Sequence, residues 1–237
     1  MSQILKNLII LGILVQTIYA NFTISPQALS LYVNKGERVG WVELSNDGNI
    51  PVAVELSVHE RILDLNGVIV QDSIRKVDDF VINPSQVLLY PGNKVQVQVI
   101  LKGKGKITQD KAYFLDSRRV PFDFPSEEKT KELDVGLSMN IAYKTIIALE
   151  TGRPGSISFV SSKALDSGMV ELIVENKSLG RFVTTNYYIM VGNKKITEIT
   201  GKGNSIMPGQ KRRFVFKHEK PLTAKEFGNG YGLKGKN

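Results

Sequence analysis

Cysteine is missing from all 237 residues. A disulfide framework, a thiolate zinc site, an iron–sulfur cluster and a cysteine nucleophile are excluded with it. Histidine is almost as scarce, since His59 and His218 are the only two, too few for a histidine-built metal cage. The Gly-x-Ser-x-Gly elbow of serine hydrolases, a glycine loop that cradles phosphate and the His-Glu-x-x-His zinc signature are all absent. The chain therefore reads as a non-enzyme with no metal, no cofactor and no small-molecule substrate. Neither charge sign forms a block: 31 Lys and Arg face 23 Asp and Glu, a net charge of +8 spread along the sequence. That gives a nucleic-acid partner little support, and none is expected. The remaining composition, 42% hydrophobic and 23% charged, is that of a folded protein long enough for one large domain or two small ones.

Long apolar runs are few as well, and the one that stands out opens the chain. Lys6 precedes the run Asn7 to Val15, and Ile18 and Ala20 follow it. This order predicts a secretory signal peptide over 1–20, cleaved after Ala20. The run is short for a bilayer, which takes roughly 20 apolar residues; an uncleaved anchor is the alternative. An exported chain without cysteine must be held by packed cores.

From Phe22 onward the dominant period is two. Val52, Val54, Leu56 and Val58 alternate with Ala53, Glu55, Ser57 and His59, and Val95, Val97 and Val99 alternate with Gln96 and Gln98. Turn signals at Asn34–Gly36, Asn46–Gly48, Asn66-Gly67, Pro91-Gly92, Gly192-Asn193 and Pro208-Gly209 punctuate the runs. This is the signature of antiparallel sandwiches, and the expected class is all-β. Strands are predicted near 22–33, 38–46, 51–61, 80–90, 94–102, 112–120 and 133–148, a set that suits an immunoglobulin-like sandwich. A break at Glu150 to Gly155 precedes a second, smaller group near 156–163, 169–176, 181–191, 194–200 and 211–218. The expectation is two immunoglobulin-like sandwiches, 21–150 and 151–237, joined by a short hinge with a cleft between them. The Gly- and Lys-rich tail from Phe227 is either an edge strand or frayed. Leu89-Tyr-Pro-Gly-Asn-Lys-Val and Ile206-Met-Pro-Gly-Gln-Lys-Arg look alike, which suggests related sandwiches.

Reactive groups do not converge. His59 and His218 read as solvated strand residues rather than general bases. Asp64 to Gly67 reads as a hairpin turn, because the later oxygen ligands of a calcium loop are missing. Asn21-Phe-Thr and Asn176-Lys-Ser match the glycosylation triplet.

The cleanest alternation in the chain lies at 133–143. Leu133, Val135, Leu137, Met139, Ile141 and Tyr143 are large and apolar, and every residue between them is small or polar. An ordinary core strand would look the same. This strand, however, closes its group, where such a sheet has an edge, and the charged stretch Pro125 to Glu132 precedes it.

The succession Val42-Glu-Leu-Ser-Asn46 with Pro51, Phe80-Val-Ile-Asn-Pro84, Leu89-Tyr-Pro-Gly92, Val95 to Val99, Tyr113-Phe-Leu, Val120-Pro121 and then the alternating strand resembles the first domain of periplasmic pilus-assembly chaperones of the chaperone–usher pathway. The resemblance covers most of 22–150 and weakens beyond. It implies a periplasmic chaperone whose partners are a pilus or fimbrial subunit and an outer-membrane usher. It implies that the last strand of the first domain is donated to the subunit, with Val135, Leu137, Met139 and Ile141 inserting between Leu133 and Tyr143. It further implies that Lys144, five positions past Met139, anchors the subunit's terminal carboxylate. The family's second anchor, an arginine on the first strand, has no counterpart, since no basic residue stands between Asn21 and Asn34. A two-domain structural or adhesive surface protein is the alternative.

Overall fold

A computed structural model describes residues 22–70, 75–121, 142–184, 187–198, 205–228 and 231–235. Nine strands, β1 (Thr23–Ser25), β2 (Ala28–Leu31), β3 (Val39–Ser45), β4 (Val52–Glu60), β5 (Phe80–Asn83), β6 (Gln86–Leu89), β7 (Lys94–Leu101), β8 (Lys111–Val120) and β9 (Ala142–Leu149), build the first sandwich. One sheet runs β1-β3-β7-β5 and the other β2-β9-β8-β4-β6. The period of two explains why they face each other. Val42 and Leu44 of β3 and Val97 and Val99 of β7 point inward from one sheet; Val52, Val54, Leu56 and Val58 of β4, Leu115 of β8 and Ile147 of β9 meet them from the other, all buried. Among the described residues every pairing is antiparallel except one, β2 with β9, where Ala28 to Leu31 run parallel to Ile146 to Leu149.

The second sandwich consists of β10 (Ser158–Ala164), β11 (Met169–Glu175), β12 (Phe182–Val183), β13 (Tyr187–Val191), β14 (Lys194–Glu198), β15 (Ser205–Ile206), β16 (Lys211–Lys217) and β17 (Tyr231–Gly235), with one short helix, α1 (Ala224–Gly228). Its sheets are β10-β11-β16, β14-β13-β17 and the pair β12-β15. They enclose a separate core of Val170, Leu172, Val174, Ile189, Ile206, Phe216 and Leu222. The chain is thus all-β, with two immunoglobulin-like sandwiches, as the periodicity predicts.

Three predicted strands divide. The span 22–33 splits around Pro26, and its halves join different sheets: β1 pairs with β3, β2 with β9. The span 80–90 splits at Pro84, which has no N–H for a ladder, so β5 pairs with β7 and β6 with β4. The span 181–191 yields β12 and β13, again in different sheets. The tail is an edge strand, with Tyr231 to Gly235 paired along β13.

The two look-alike Pro-Gly turns belong to a larger repeated unit. Asn46 follows β3 and Asn176 follows β11, and both are fully buried. The Asn46 amide donates to the carbonyls of Ile50 and Leu89, while its oxygen accepts from the Gly48 N–H. The Asn176 amide donates to Gly180 and Ile206, and its oxygen accepts from Ser178 N–H. The backbone repeats the match: Asn46 N–H reaches Asn93 and Gly92 N–H returns to Asn46, as Asn176 N–H reaches Gln210 and Gly209 N–H returns to Asn176. Each asparagine therefore pins its own turn to the Pro-Gly turn of the same sandwich. Buried in this way, Asn176 is closed to glycosylation in the folded protein; Asn21 lies outside the described residues.

Asp110, just before β8, joins the sandwiches. Its Oδ1 accepts from Thr151 N–H (2.6 Å) and Thr151 Oγ1 (2.7 Å), and its Oδ2 accepts from Arg181 N–H at 2.8 Å. Its own N–H donates to Leu179. Arg181 Nη2 stands 2.7 Å from Glu150 Oε1, an ion pair set by distance rather than by an aligned hydrogen bond. Gly155 and Gly180 let the crossing segment lie directly on the 178–181 turn: a side chain at either would strike backbone of Arg181 or Arg153. The Asp64–Gly67 turn closes as predicted, with Gly67 N–H on the Asp64 carbonyl. It also reaches β16, where Arg213 donates its N–H to the Leu65 carbonyl and its Nε to Asn66 Oδ1, both at 2.8 Å.

Asn46→Ala and Asn176→Ala leave two carbonyls each without their donor, all buried but that of Ile50, so each variant is expected to lose about 2 kcal/mol of stability. Urea unfolding measures it, and a loss below half of that for both would show that the asparagines are not what holds the turns.

Candidate functional site

The predicted donor residues Leu133, Val135, Leu137, Met139 and Ile141 lie outside the described residues, which resume at Ala142. Tyr143 and Lys144 stand on opposite faces of β9. Tyr143 points inward, its ring edge-on to Phe22 with centroids 5.0 Å apart. Lys144 points outward.

β9 is not a plain edge strand. Along Ile146 to Leu149 it is interior, with β8 on one side and β2 on the other. The reason is the parallel stretch of β2, which begins at Ala28, so the Gln27 carbonyl takes the Ile146 N–H at 3.0 Å. Upstream of that point, Ala142 to Thr145 pair with β8 alone. Among the described residues no strand occupies their other side.

The outer face of β4, β8 and β9 carries the charge. The register sets Glu55 and Ala142 on either side of Arg118, Ser57 and Lys144 on either side of Asp116, and His59 and Ile146 on either side of Phe114. Asp116 is 1% exposed. Arg118 Nε donates to its Oδ2 at 2.8 Å, while Oδ1 has no hydrogen-bond partner among the described residues. Two cations approach the Phe114 ring, Lys144 Nζ 5.8 Å from its centroid and Arg61 Cζ at 5.7 Å, within cation–π range.

Arg61 continues the outward set of β4 but is only 5% exposed, because the second sandwich covers it. Neither its Nε nor its Nη1 has a hydrogen-bond partner among the described residues. Burial, with Arg212 and Arg181 adding repulsion, brings its pKa down to about 10. Beside it opens a cleft of about 280 Å³ between the sandwiches, bounded by Arg61, Gln109, Lys111 and Tyr113 of the first and by Met207 and Gln210 of the second. The Tyr113 hydroxyl is pushed up to about 12 by burial and by Asp79.

His59 differs from the solvated residue expected. It is half-buried, Ser57 Oγ lies 2.8 Å from its Nε2, and Nδ1 is enclosed without a hydrogen-bond partner among the described residues. Ser57, His59 and Asp116 thus share one patch, but they do not form a nucleophilic relay. The nitrogen that an orienting carboxylate would hold is unbonded, and Asp116 Oδ2 is taken by Arg118. His218 lies at the end of β16, its Nδ1 2.8 Å from the Lys220 carbonyl. Among the described residues no cluster of three acidic or histidine side chains is arranged for a metal.

Of the predicted anchors, Lys144 therefore sits on the charged face, and Gln27, where an arginine was absent, is exposed. The sequence reading passed over Phe114, Asp116 and Arg61. Strand parity already places all three on the outward face; their burial depends on the partner sandwich, which no local pattern records.

No family model and no curated protein matches the sequence. Solved structures do match in fold. The CsuC–CsuE chaperone–tip adhesion subunit complex of archaic chaperone–usher Csu pili from Acinetobacter baumannii aligns at 12% identity, TM-score 0.51, over 82% of this chain and 90% of that one. The E. coli chaperone DraB aligns at 12% identity, TM-score 0.51, over 86% and 85%. The Salmonella enterica SafA pilin–SafB chaperone complex aligns at 15% identity, TM-score 0.51, over 81% and 82%. The fold of this protein is therefore that of two-domain pilus chaperones, in agreement with the resemblance read from residues 22–150.

The His59 pKa lies below the usual 6.5, chiefly through burial; Asp116 opposes the shift and Arg118, Lys144 and Lys76 add to it. An unfolded chain then takes up this proton at higher pH than the folded one. The stabilisation from neutral His59 is present above pH 6.5 and lost as the pH falls through the folded value. His59→Gln should flatten the acid-side decline in stability, and the His59 ring resonance should titrate below 6.5. A midpoint at or above 6.5 contradicts this account.

Proposed function

We propose that this protein is a non-enzymatic periplasmic chaperone that stabilises an incomplete pilus subunit by lending it a β-strand and hands it to an outer-membrane usher. In this reading residues 1–20 are a cleaved export signal, 21–150 form the donor domain and 151–237 the second domain. The observation that carries it is the one-sided pairing of Ala142 to Thr145, at the downstream end of the alternating residues 133–143. The likeness in fold to proteins solved with a pilin and with a tip adhesion subunit supports it.

The chemistry is that of sheet completion. A sandwich short of one strand exposes a groove and unpaired backbone groups, both aggregation hazards. A strand laid in that groove satisfies the ladder at roughly 1 kcal/mol net per hydrogen bond. Side chains of alternate residues fill the groove; four of them, Val135, Leu137, Met139 and Ile141, contribute on the order of 6–12 kcal/mol before ordering costs. In the sequence these four residues have the same parity as Tyr143, and Lys144 has the other. Lys144 then serves as the cation for the subunit's terminal carboxylate.

Replacing Leu137 and Met139 together by glutamate is expected to abolish accumulation of a coexpressed subunit while the circular dichroism of the chaperone stays unchanged; undiminished subunit levels would overturn strand donation. Lys144→Ala is expected to weaken capture by roughly 1.5–3 kcal/mol, read by calorimetry, and an unaltered affinity removes Lys144 from the site.

A further inference from the structure

One end of the first sandwich gathers cations that have no counter-charge among the described residues. Arg38 leads into β3 there, Lys111 opens β8, and Lys102 and Lys106 belong to the loop between β7 and β8. These four side chains line a pocket of about 250 Å³, in which Asp79 supplies the one carboxylate among the described residues. Asp79 already accepts from the Tyr113 hydroxyl, and none of the four cations forms an ion pair among the described residues. Arg38 Nη2 donates to the Gly105 carbonyl. Like charges held around one small volume repel one another, and a bound anion relieves that repulsion.

The backbone around the pocket is tied down. Asn34 grips Ile107 at both of its backbone groups, Nδ2 donating to the carbonyl at 3.1 Å and Oδ1 accepting from the N–H at 3.0 Å. Lys102 N–H donates to the Asp79 carbonyl and Leu101 N–H to that of Arg38, each at 2.8 Å. The loop 102–110 is thereby fixed at its start and in its middle, so an entering anion meets a shaped site at little ordering cost. Leu101 and Leu149, both buried, line the same pocket and keep water from one side of it, which strengthens the charge interactions inside.

We propose that this end of the first sandwich is a binding site for a phosphoryl or sulfate group, held by Arg38, Lys102, Lys106 and Lys111. The charge selects a tetrahedral oxyanion over a carboxylate. Four cations against one acid exceed what a single negative charge can balance, whereas a phosphoryl group brings up to about two charges and three strong acceptor oxygens. Lys111 also borders the cleft between the sandwiches; Arg38, Lys102 and Lys106 do not. The pocket is lined by the first sandwich alone, excludes Lys144 and does not depend on strand donation. The group has two sources: a free phosphate or phosphate ester, or the headgroup of an anionic phospholipid.

The test titrates inorganic phosphate, sulfate, glycerol phosphate and acetate into the purified protein by calorimetry, with chloride holding ionic strength constant. Flotation with vesicles of phosphatidylglycerol in phosphatidylcholine, and of phosphatidylcholine alone, runs in parallel. Saturable binding of the phosphates and sulfate without flotation identifies a free anion as the occupant. Flotation with the phosphatidylglycerol vesicles that glycerol phosphate suppresses identifies a headgroup. Replacing Lys102 and Lys106 together by alanine should weaken either response at least about tenfold. Replacing Lys211 and Lys217 by alanine, which removes the same charge from β16, should leave it intact, as should Lys144→Ala. All four lysines of the two double variants are exposed, so both should keep the parent's unfolding midpoint. The proposal is overturned by no response to any phosphate, sulfate or vesicle, by acetate binding as tightly as phosphate, or by equal losses in the two double variants. A response that survives the loss of Lys102 and Lys106 overturns it as well.

Discussion

Asp110 receives three hydrogen bonds from residues that belong to the seam between the sandwiches, and the arrangement of that seam follows from it. A carboxylate that is 4% exposed and accepts two backbone N–H groups and a hydroxyl is held in place by its own desolvation, because any tilt of one sandwich would strip an acceptor of its donor. With the seam fixed, Arg61 is roofed over, the cleft has two walls, and the charged face of β4, β8 and β9 stands beside it. Glycines at 155 and 180 permit the close crossing, and the Asp64–Gly67 turn adds a second contact between the sandwiches through Arg213 of β16. The connection that reads in sequence as a hinge is thus a joint with fastenings at both ends.

Much of the architecture was legible in the order of residues. Alternation located nearly every strand of the first sandwich, and Pro-Gly turns located the repeated unit. Sequence did not reveal which sheet a strand joins, because sheet choice is a matter of long-range pairing. Residues 80–90 have a continuous apolar look, yet Pro84 separates two strands that lie in opposite layers. The repeated turn was visible as a few similar letters; its cause, a buried asparagine bonded to two carbonyls, became apparent only when Leu89 and Ile206 were seen beside Asn46 and Asn176.

The site divides in the same way. Lys144 is singled out by the resemblance alone, and what strand parity adds is its outward face on β9. Arg61 carried no such mark. Its surroundings come from positions 181 and 212, more than a hundred residues downstream, and an arginine after a strand looks the same in sequence whether it is solvated or covered. His59 is similar: the pattern gave its face but not its enclosure, which comes from the bridge to Lys76.

The parallel stretch of β2 has one more consequence. It begins at Ala28, three residues after β1 has left the opposite sheet, and the point of crossing decides how many rungs of β9 are already occupied. The crossing therefore works as a ruler. Leaving the first sheet two residues earlier would carry β2 alongside Lys144 and cover the upstream half of β9, whereas leaving two residues later would uncover Ile146. A short kink in the first strand, far from β9 in sequence, thus sets how many of the described rungs of β9 pair with β8 alone.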